Sequence, residues 1–297
     1  MLDLVKEEKM TNLNINWYPG HMKKTMDNIK SSLKLVDVVL EIVDARIPIA
    51  SRNPLLDEVL GDKPRVVLLN KMDLANEAMN KKWLEYFKAK GYEAILIDSV
   101  KGTNLNKIES TSRQLLTEKF KKLEEKNLNL KRVRAMIVGV PNVGKSTLIN
   151  RIANRRSAKV GNRPGVTRQN QWIKTGKDFE LLDTPGVLWP KFESEEIGLD
   201  LAFTGAIKDE IMDTETLAFK LIEKLNHIDK GIIETRYKIE TEGLSTLEIM
   251  EAIGQKRGCL IRGGEFDYEK ISNIVLDEFR KGVLGRITLE GPDDYNG

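Results

Sequence analysis

The residues best suited to chemistry form one short run: Gly139-Val140-Pro141-Asn142-Val143-Gly144-Lys145-Ser146-Thr147. The run fits G-x-x-x-x-G-K-[ST] and lies between a predicted strand and a predicted helix, which is the context that this motif requires. Gly139 and Gly144 allow the backbone to curl so that successive N–H groups point at phosphate oxygens. Lys145 supplies positive charge to the β- and γ-phosphates, and the Ser146 hydroxyl is a suitable magnesium ligand. We therefore predict a phosphate loop for a nucleoside triphosphate of unspecified base.

A second polar run follows the apolar segment Arg65–Leu69 and reads Asn70-Lys71-Met72-Asp73. Its pattern, N-K-x-D, resembles the guanine-recognition element of GTPases. An ionised Asp73 accepts from two donors at once, and guanine offers N1–H and N2–H₂ side by side, whereas adenine has an acceptor at N1 and no 2-amino group. We assign Asn70 to the opposite edge of the base and the stem of Lys71 to the face of the ring. The two motifs together predict GTP and GDP as ligands.

A softer signal lies at the end of the next predicted strand, which continues as Asp98-Ser99-Val100-Lys101. This segment resembles the last guanine-binding element, in which Ser99 and the neighbouring backbone at Val100 contact the guanine carbonyl. A plain turn that ends the strand explains the same residues equally well, so both interpretations stay open.

Two further segments fit the nucleotide-sensing switches. Asp183-Thr184-Pro185-Gly186 follows the apolar segment Phe179–Leu182 and fits D-x-x-G. In this pattern the aspartate holds magnesium through water, and the Gly186 N–H contacts the γ-phosphate. Thr167 ends the loop Arg163-Pro164-Gly165-Val166-Thr167, between the phosphate loop and that segment. Its placement predicts the first-switch magnesium ligand.

The residue after this motif is Val187. Ras-like GTPases place a glutamine here to orient the attacking water, and valine cannot do so. We expect slow intrinsic hydrolysis and a different group that positions the water. His21, in Trp17-Tyr18-Pro19-Gly20-His21-Met22, is one candidate, and a structural or RNA-contacting histidine is the equal alternative. The predicted catalytic set is therefore His21, Lys145, Thr167 and Gly186.

Alternating strand and helix patterns must position these motifs. Short apolar runs occur at Val38–Val43, Arg65–Leu69, Ala94–Ile97 and Ala135–Val138, and helical patterns separate them, including one continuous helix over Leu105–Leu123. Trp172–Thr175 and Phe179–Leu182 resemble a hairpin. Such alternation predicts an α/β fold with a doubly wound, mostly parallel sheet. Helical periodicity with breaks near Gly231, Gly243 and Gly263-Gly264 then predicts a small all-α domain from Thr214 to Phe279. The predicted boundaries are 1–15 for an N-terminal tail, 16–200 for the nucleotide domain and 201–297 for the helical domain.

The order of the motifs is circularly permuted. An ordinary GTPase runs phosphate loop, switches and then N-K-x-D, whereas here Asn70 precedes Gly139 and the D-x-x-G motif comes last. The same sheet can still form if a linker joins the old termini, and Gly102–Arg134 is long enough to serve. The new cut ties the second switch directly to the helical domain, so the nucleotide state could bias that domain.

This motif order, together with the Trp17–Met22 hexad and the phosphate loop, resembles the bacterial ribosome biogenesis GTPase A (YlqF/RbgA) family over about Asn16 to Ile287. The resemblance implies action in late assembly of the large ribosomal subunit, GTP hydrolysis stimulated by that particle, and a helical C-terminal domain that contacts ribosomal RNA. It also implies that Asn142 coordinates an activating K⁺ and that Val187 is the family's hydrophobic substitute for glutamine.

Composition limits the remaining function classes. The 297 residues carry a formal net charge of +3, which is too small to establish nucleic-acid binding. A single cysteine, Cys259, excludes a disulfide within one chain and suits the cytosol. Neither a signal peptide nor a membrane-spanning stretch is predicted, so we expect a cytoplasmic protein, monomeric away from the ribosome. Candidate RNA contacts are Lys23, Lys24, Lys30, Lys34, Lys256, Arg257, Arg262, Arg280 and Lys281, although each could be an ordinary surface charge. The alternatives are a signalling switch without an RNA partner and a small-molecule kinase.

Overall fold

The computed structural model describes residues 22–127, 132–156, 171–175, 178–189, 192, 194–207 and 213–295. They divide into two compact units. The first, here called the nucleotide unit, holds the described residues from 22 to 189 together with 290–295. The second, the helical unit, holds those from 192 to 289. The chain thus leaves the nucleotide unit once and returns to it at Glu290.

The described part of the nucleotide unit contains a sheet of six strands: β1 (Val38–Asp44), β2 (Arg65–Asn70), β3 (Glu93–Leu96), β4 (Val133–Val138), β5 (Gln171–Lys174) and β6 (Phe179–Asp183). Their order across the sheet is β3-β2-β1-β4-β6-β5. All neighbours pair in parallel except β5 and β6, which form the predicted antiparallel hairpin. This topology confirms the predicted mostly parallel α/β fold.

Helices pack over the sheet because its central strands carry buried side chains on both faces. Every residue of β1 and β2 is buried, as expected for strands with no solvent-facing side. The helices of this unit are α1 (Met22–Ser32), α2 (Leu55–Leu60), α3 (Glu77–Ala89), α4 (Asn106–Leu115), α5 (Thr117–Glu125) and α6 (Lys145–Arg156). On one face, α1 and α2 pack against β1, β4 and β6 through Ile29, Leu56, Val39, Met136 and Leu182.

The prediction of one continuous helix over Leu105–Leu123 was wrong. The segment forms two helices, α4 and α5, which meet at Leu116. The Leu116 N–H reaches back only three residues, to the Arg113 carbonyl, and its backbone leaves the helical region with φ −98° and ψ 9°. The buried Leu116 side chain explains the break, because the bend lets it enter the core. The short helix α2 was not predicted, since six residues are too few to show a helical period.

The helical unit contains α7 (Glu195–Phe203), α8 (Thr214–Ile228), α9 (Lys230–Tyr237), α10 (Thr246–Arg257) and α11 (Tyr268–Arg280). The break predicted near Gly231 lies at Asp229, whose carboxylate caps α9 by accepting the Gly231 N–H. Ser245 and Glu248 form a capping box at the start of α10. Within the described ranges, no helix is both long and apolar enough to cross a membrane.

Candidate functional site

The predicted site motifs meet at one edge of the sheet. In parallel strands the carboxyl ends share an edge, and ligands of such folds bind beyond it. Asp44, the last residue of β1, stands beside Asn70, the last residue of β2. Ile137 near the end of β4 stands beside Asp183, the last residue of β6. The phosphate loop, the N-K-x-D motif and the D-x-x-G motif therefore start from neighbouring positions.

The phosphate loop requires glycine at both predicted positions. A Cβ atom at Gly139 would lie 2.5 Å from the Ile42 carbonyl oxygen, because the loop passes directly over β1. Gly144 has φ +100°, and a Cβ there would lie 2.2 Å from Asn70 Nδ2. Asn142 also has a positive φ, +56°, and is exposed. Such turns aim consecutive N–H groups to one side, which is the geometry of an anion cradle.

The first residues of α6 carry the polar groups expected of a triphosphate site. Burial lowers the pKa of Lys145 from its ordinary 10.5 to about 8, although the nearby Asp183 carboxylate raises it. A buried ammonium ion of this kind gains much from an anion that pairs with it. Ser146 and Thr147 are exposed at the helix N-terminus, where the helix dipole also favours negative charge. These residues suit a phosphate chain with a bound cation.

The D-x-x-G motif lies against the phosphate loop. The Thr184 hydroxyl donates to the Ile137 carbonyl across 2.6 Å, which fixes the chain just after Asp183. A Cβ at Gly186 would lie 3.0 Å from the Pro141 nitrogen, so the two loops are in close contact. The Val187 N–H then donates to the Gly139 carbonyl across 3.2 Å.

Val187 belongs to the hydrophobic core. Its side chain is buried in the cluster that contains Ile29, Leu56 and Met136. Its carbonyl oxygen accepts from Asn53 Nδ2 across 3.4 Å. A buried isopropyl group offers nothing polar to a water molecule, which agrees with the interpretation that another group must orient the nucleophile.

Asn70 joins three of the motifs. This side chain is only 2% exposed, and its Nδ2 donates to the Val143 carbonyl of the phosphate loop across 2.8 Å. Its Oδ1 accepts from both the backbone N–H and the hydroxyl of Ser99, at 3.1 and 2.7 Å. We predicted a contact between Asn70 and one edge of the base. In the structure, the side-chain oxygen of Asn70 and one hydrogen of its amide group are bonded to other groups of the protein.

The side chain predicted to read the base remains accessible. The Asp73 side chain is 33% exposed, and its nearest basic group is Lys101 Nζ at 3.6 Å. Val100, the residue before Lys101, is 72% exposed. Asp98 shapes this turn, because its Oδ1 accepts from the N–H groups of Val100 and Lys101. Ser99 is thus a buried residue of this turn, and its side chain is bonded to Asn70 of another motif.

Two residues at the site were missed from the sequence. Asp44 Oδ2 lies 2.9 Å from Lys71 Nζ, and Arg46 grips both oxygens of Asp44 with Nε and a terminal nitrogen at 2.9 and 2.8 Å. Burial alone would raise the pKa of Asp44, but the charges of Arg46 and Lys71 outweigh it and hold this pKa well below its usual range. Lys71 itself has φ +59°. The sequence pattern that could have indicated this pair is an acidic residue at the end of a buried strand, followed two residues later by an arginine.

Several predicted residues cannot be placed. His21 and Thr167, with the rest of the loop Arg163–Thr167, lie outside the described residues. Among the candidate RNA contacts, Lys30, Lys34, Lys256 and Arg262 are exposed. The side chains of Lys23 and Lys24 lie outside the described residues. The other three candidates have protein partners: Arg280 donates to the carbonyls of Ala202 and Phe203, Arg257 pairs with Glu278, and Lys281 pairs with Asp277.

Comparison with known proteins agrees with these motifs. The family model described as 50S ribosome-binding GTPase matches residues 134–248. Ribosome biogenesis GTPase A of Bacillus cereus is 47% identical over 281 residues, covering 95% of each chain. Mitochondrial ribosome-associated GTPase 1 of Mus musculus is 36% identical over 298 residues, covering 92% of this chain and 89% of the relative. The solved structure of GNP-bound YlqF from T. maritima is 29% identical with a TM-score of 0.64, and the match covers 91% of this chain and 99% of that one.

Similarity to the Bacillus cereus relative extends over almost the full length of both proteins, and so over both units of the chain. The chain therefore belongs to the ribosome biogenesis GTPase A family.

Proposed function

We propose that the protein binds GTP, hydrolyses it to GDP and phosphate, and acts in late maturation of the large ribosomal subunit. The observation that carries the nucleotide part is the position of Asn70, which bonds the phosphate loop at Val143 and the neighbouring strand end at Ser99. One side chain thus holds the triphosphate cradle and the base-reading turn at a fixed spacing, as a single nucleotide requires.

Each motif has a distinct task in this proposal. The backbone of Gly139–Gly144 and the Lys145 ammonium bind the phosphates, and Gly186 contacts the γ-phosphate through its N–H. Asp73 reads the guanine N1–H and 2-amino group, while Lys71 covers the ring and Val100 flanks it. The Ser146 hydroxyl, Thr167 and the Asp183 carboxylate would hold Mg²⁺, which neutralises charge on the phosphates when bound.

Hydrolysis requires a water molecule placed by a group other than Val187. His21 is the proposed positioning group, to be tested by single-turnover hydrolysis of His21→Ala. A rate equal to that of the unmodified protein would remove His21 from catalysis. Asn142, exposed with a left-handed backbone in the phosphate loop, is the proposed ligand of K⁺.

The partner is a precursor of the large ribosomal subunit, contacted through ribosomal RNA. The names of the bacterial and mitochondrial relatives support this choice, because both refer to ribosomes. Exposed Lys30 in α1, exposed Lys34 just after that helix, and exposed Lys256 and Arg262 are the proposed phosphate contacts. Binding through such contacts weakens steeply with added salt, since counterions are released. We further propose a cytoplasmic protein that is monomeric away from the particle.

The central experiment measures phosphate release from GTP and from ATP, with and without purified large subunits, in K⁺ and in Na⁺ buffers. We expect GTP hydrolysis that the particle accelerates and that K⁺ supports better than Na⁺. Release of free phosphate without a phosphorylated acceptor excludes the kinase alternative. Failure to co-sediment with the particle would instead favour the signalling switch.

Base reading by Asp73 has a separate test. In Asp73→Asn the amide can donate where the carboxylate accepted, so xanthine, which carries a carbonyl in place of the 2-amino group, becomes the better partner. We expect GTP affinity to fall by about 10²-fold or more and XTP affinity to rise. Asp62→Asn, at an exposed position of the same unit, is the matched control. Unchanged GTP affinity in Asp73→Asn would remove Asp73 from the site.

A further inference from the structure

The segment that follows the helical unit is anchored deep in the nucleotide unit. Glu290 is 4% exposed, and its two carboxylate oxygens accept the N–H groups of Ile49 and Ala50 at 2.8 and 2.7 Å. Its carbonyl oxygen accepts from Trp83 Nε1 across 3.3 Å, and the Tyr295 ring lies 6.0 Å from the Trp83 ring. The Tyr295 hydroxyl also donates to Glu290 Oε1 across 3.2 Å. A buried carboxylate with charge-assisted bonds to two N–H groups holds the backbone that it binds in place.

The backbone held by Glu290 is the loop 45–53, between β1 and α2. This loop is folded onto the end of β1: the Ser51 hydroxyl donates to the Ile47 carbonyl across 2.6 Å and accepts the Asp44 N–H across 2.9 Å. The Ala45 N–H donates to the Asn70 carbonyl across 2.8 Å. Loop 45–53 therefore fixes Asp44 at the strand end and contacts the first residue of the N-K-x-D motif.

Asp44 completes the connection to the base side. It holds Lys71 Nζ at 2.9 Å, and Lys71 is the residue whose stem we place over the guanine ring. The same loop ends at Asn53, which bonds the carbonyl of Val187 just after the D-x-x-G motif. Two distant segments of the nucleotide unit, at Val187 and at Glu290, are thus bonded to loop 45–53.

We propose that Glu290 is a positioning residue for guanine nucleotide binding, acting through loop 45–53, Asp44 and Lys71. The inference rests on the proposed function, because it assigns a remote determinant of affinity to the same nucleotide site. Glu290 contacts neither base nor phosphate. It holds the loop that sets the position of the Lys71 side chain, so its loss weakens contacts to the base while the phosphate loop keeps its shape.

The test is Glu290→Gln in the full chain, with the exposed Glu85→Gln on α3 as the matched control. An amide keeps the size of the side chain but turns one acceptor into a donor facing a backbone N–H. We expect the Kd for fluorescent GDP to rise by about threefold to tenfold in Glu290→Gln and to stay unchanged in Glu85→Gln. The affinity for inorganic tripolyphosphate, measured by competition, and kcat at saturating GTP should not change.

A double-mutant cycle with Lys71→Ala tests whether the effect of Glu290 on nucleotide affinity depends on Lys71. If the effect passes through Lys71, Glu290→Gln should change GDP affinity less than twofold in the Lys71→Ala background. An equal effect in both backgrounds, or an equal loss of tripolyphosphate affinity, would overturn the proposal. If Glu290→Gln does not fold, Tyr295→Ala, which loosens the same segment at Trp83, takes its place in the cycle. Absence of guanine nucleotide binding in the unmodified protein would instead refute the proposed function.

Discussion

The proposed phosphate side of the site, formed by Gly139–Thr147, and the proposed base side, formed by Asn70–Asp73 with Ser99, are stabilised in different ways. On the phosphate side, the backbone conformation forms the site: the loop at Gly139 and Gly144 lies so close to neighbouring atoms that any side chain there would collide with them. On the base side, buried polar side chains distant in sequence hold one another, as Asn70 does with Ser99. We therefore expect a substitution on the phosphate side to cause a large loss of affinity through its immediate neighbours. A substitution on the base side should instead affect all the residues that are hydrogen-bonded to one another there.

The sharpest test of the phosphate side compares Gly144→Ala with Gly243→Ala. Both glycines have positive φ, +100° and +76°, so alanine is strained at either place. Only Gly144 has an atom in the way, Asn70 Nδ2 at 2.2 Å, while nothing lies within 4 Å at Gly243. We expect Gly144→Ala to lose GTP affinity by about 10²-fold or more and Gly243→Ala to lose none, in nucleotide titrations. Similar affinities for the two variants would contradict a backbone-built cradle.

On the base side, we expect Asn70→Ala to lower both stability and affinity. The substitution leaves the Val143 carbonyl and the Ser99 N–H without their partner inside the protein. The free energy of unfolding should fall by about 2–4 kcal/mol, and GTP affinity should fall as well. Asn104→Ala removes a bond to the Leu96 carbonyl away from the motifs and should reduce stability alone. Urea unfolding measures the stability of both variants, and nucleotide titration measures their affinity. A normal GTP affinity in Asn70→Ala would contradict the proposal that Asn70 supports the base side of the site.

Lys145 links stability to pH on the phosphate side. Burial lowers its pKa to about 8 in the folded protein, below its ordinary 10.5. Below pH 8 the folded state therefore carries a buried charge at a cost, and between about pH 8 and 10.5 the unfolded chain binds more protons, so stability rises with pH. We expect Lys145→Met to be about 1–2 kcal/mol more stable than the unmodified nucleotide-free protein at pH 7, and to lose part of this advantage at pH 9.5.

Thermal unfolding across this pH range, without nucleotide, measures the difference. GTP binding by Lys145→Met should be lost throughout. A constant stability difference from pH 7 to pH 9.5 would show that the Lys145 ammonium is not the group responsible.

The smallest effect is expected from Lys101→Ala. Lys101 is 70% exposed and lies 3.6 Å from Asp73 and 3.8 Å from Asp98. Exposed ion pairs contribute about 0–1 kcal/mol, so stability should change by no more than about 0.5 kcal/mol in urea unfolding. GTP affinity should change less than about threefold, because guanine replaces Lys101 as the partner of Asp73. A loss comparable to that of Asn70→Ala would show that Lys101 belongs to the base-side network.

The sheet and the phosphate loop could be predicted because their signals are local. Buried parallel strands are continuous apolar runs, and the turn at Gly139–Gly144 is encoded by neighbouring residues. The break at Leu116 could not be predicted, since it depends on the core that receives this side chain. Local periodicity continues through a residue even where tertiary packing bends the chain.

The base-side network escaped prediction for a related physical reason. Asp44 follows a strand as many polar residues do, and its pairing with Lys71 appears only once β1 and β2 stand side by side. Likewise, the sequence offers no reason to join Glu290 to Ile49, because the tail is rich in acidic residues that would be typical of a solvated end. Pairs of this kind can be predicted only once the order of the strands in the sheet is known.

The returning segment also bears on how the protein is made. Glu290 is synthesised 241 residues after Ile49 and 207 after Trp83, its hydrogen-bond partners. Contacts this distant in sequence form late, because the long intervening chain must first be ordered. During translation the sheet and the phosphate loop can assemble before loop 45–53 receives its carboxylate. If Glu290 positions loop 45–53 for nucleotide binding as we propose, a nascent chain that still lacks Glu290 binds guanine nucleotides less tightly than the full chain.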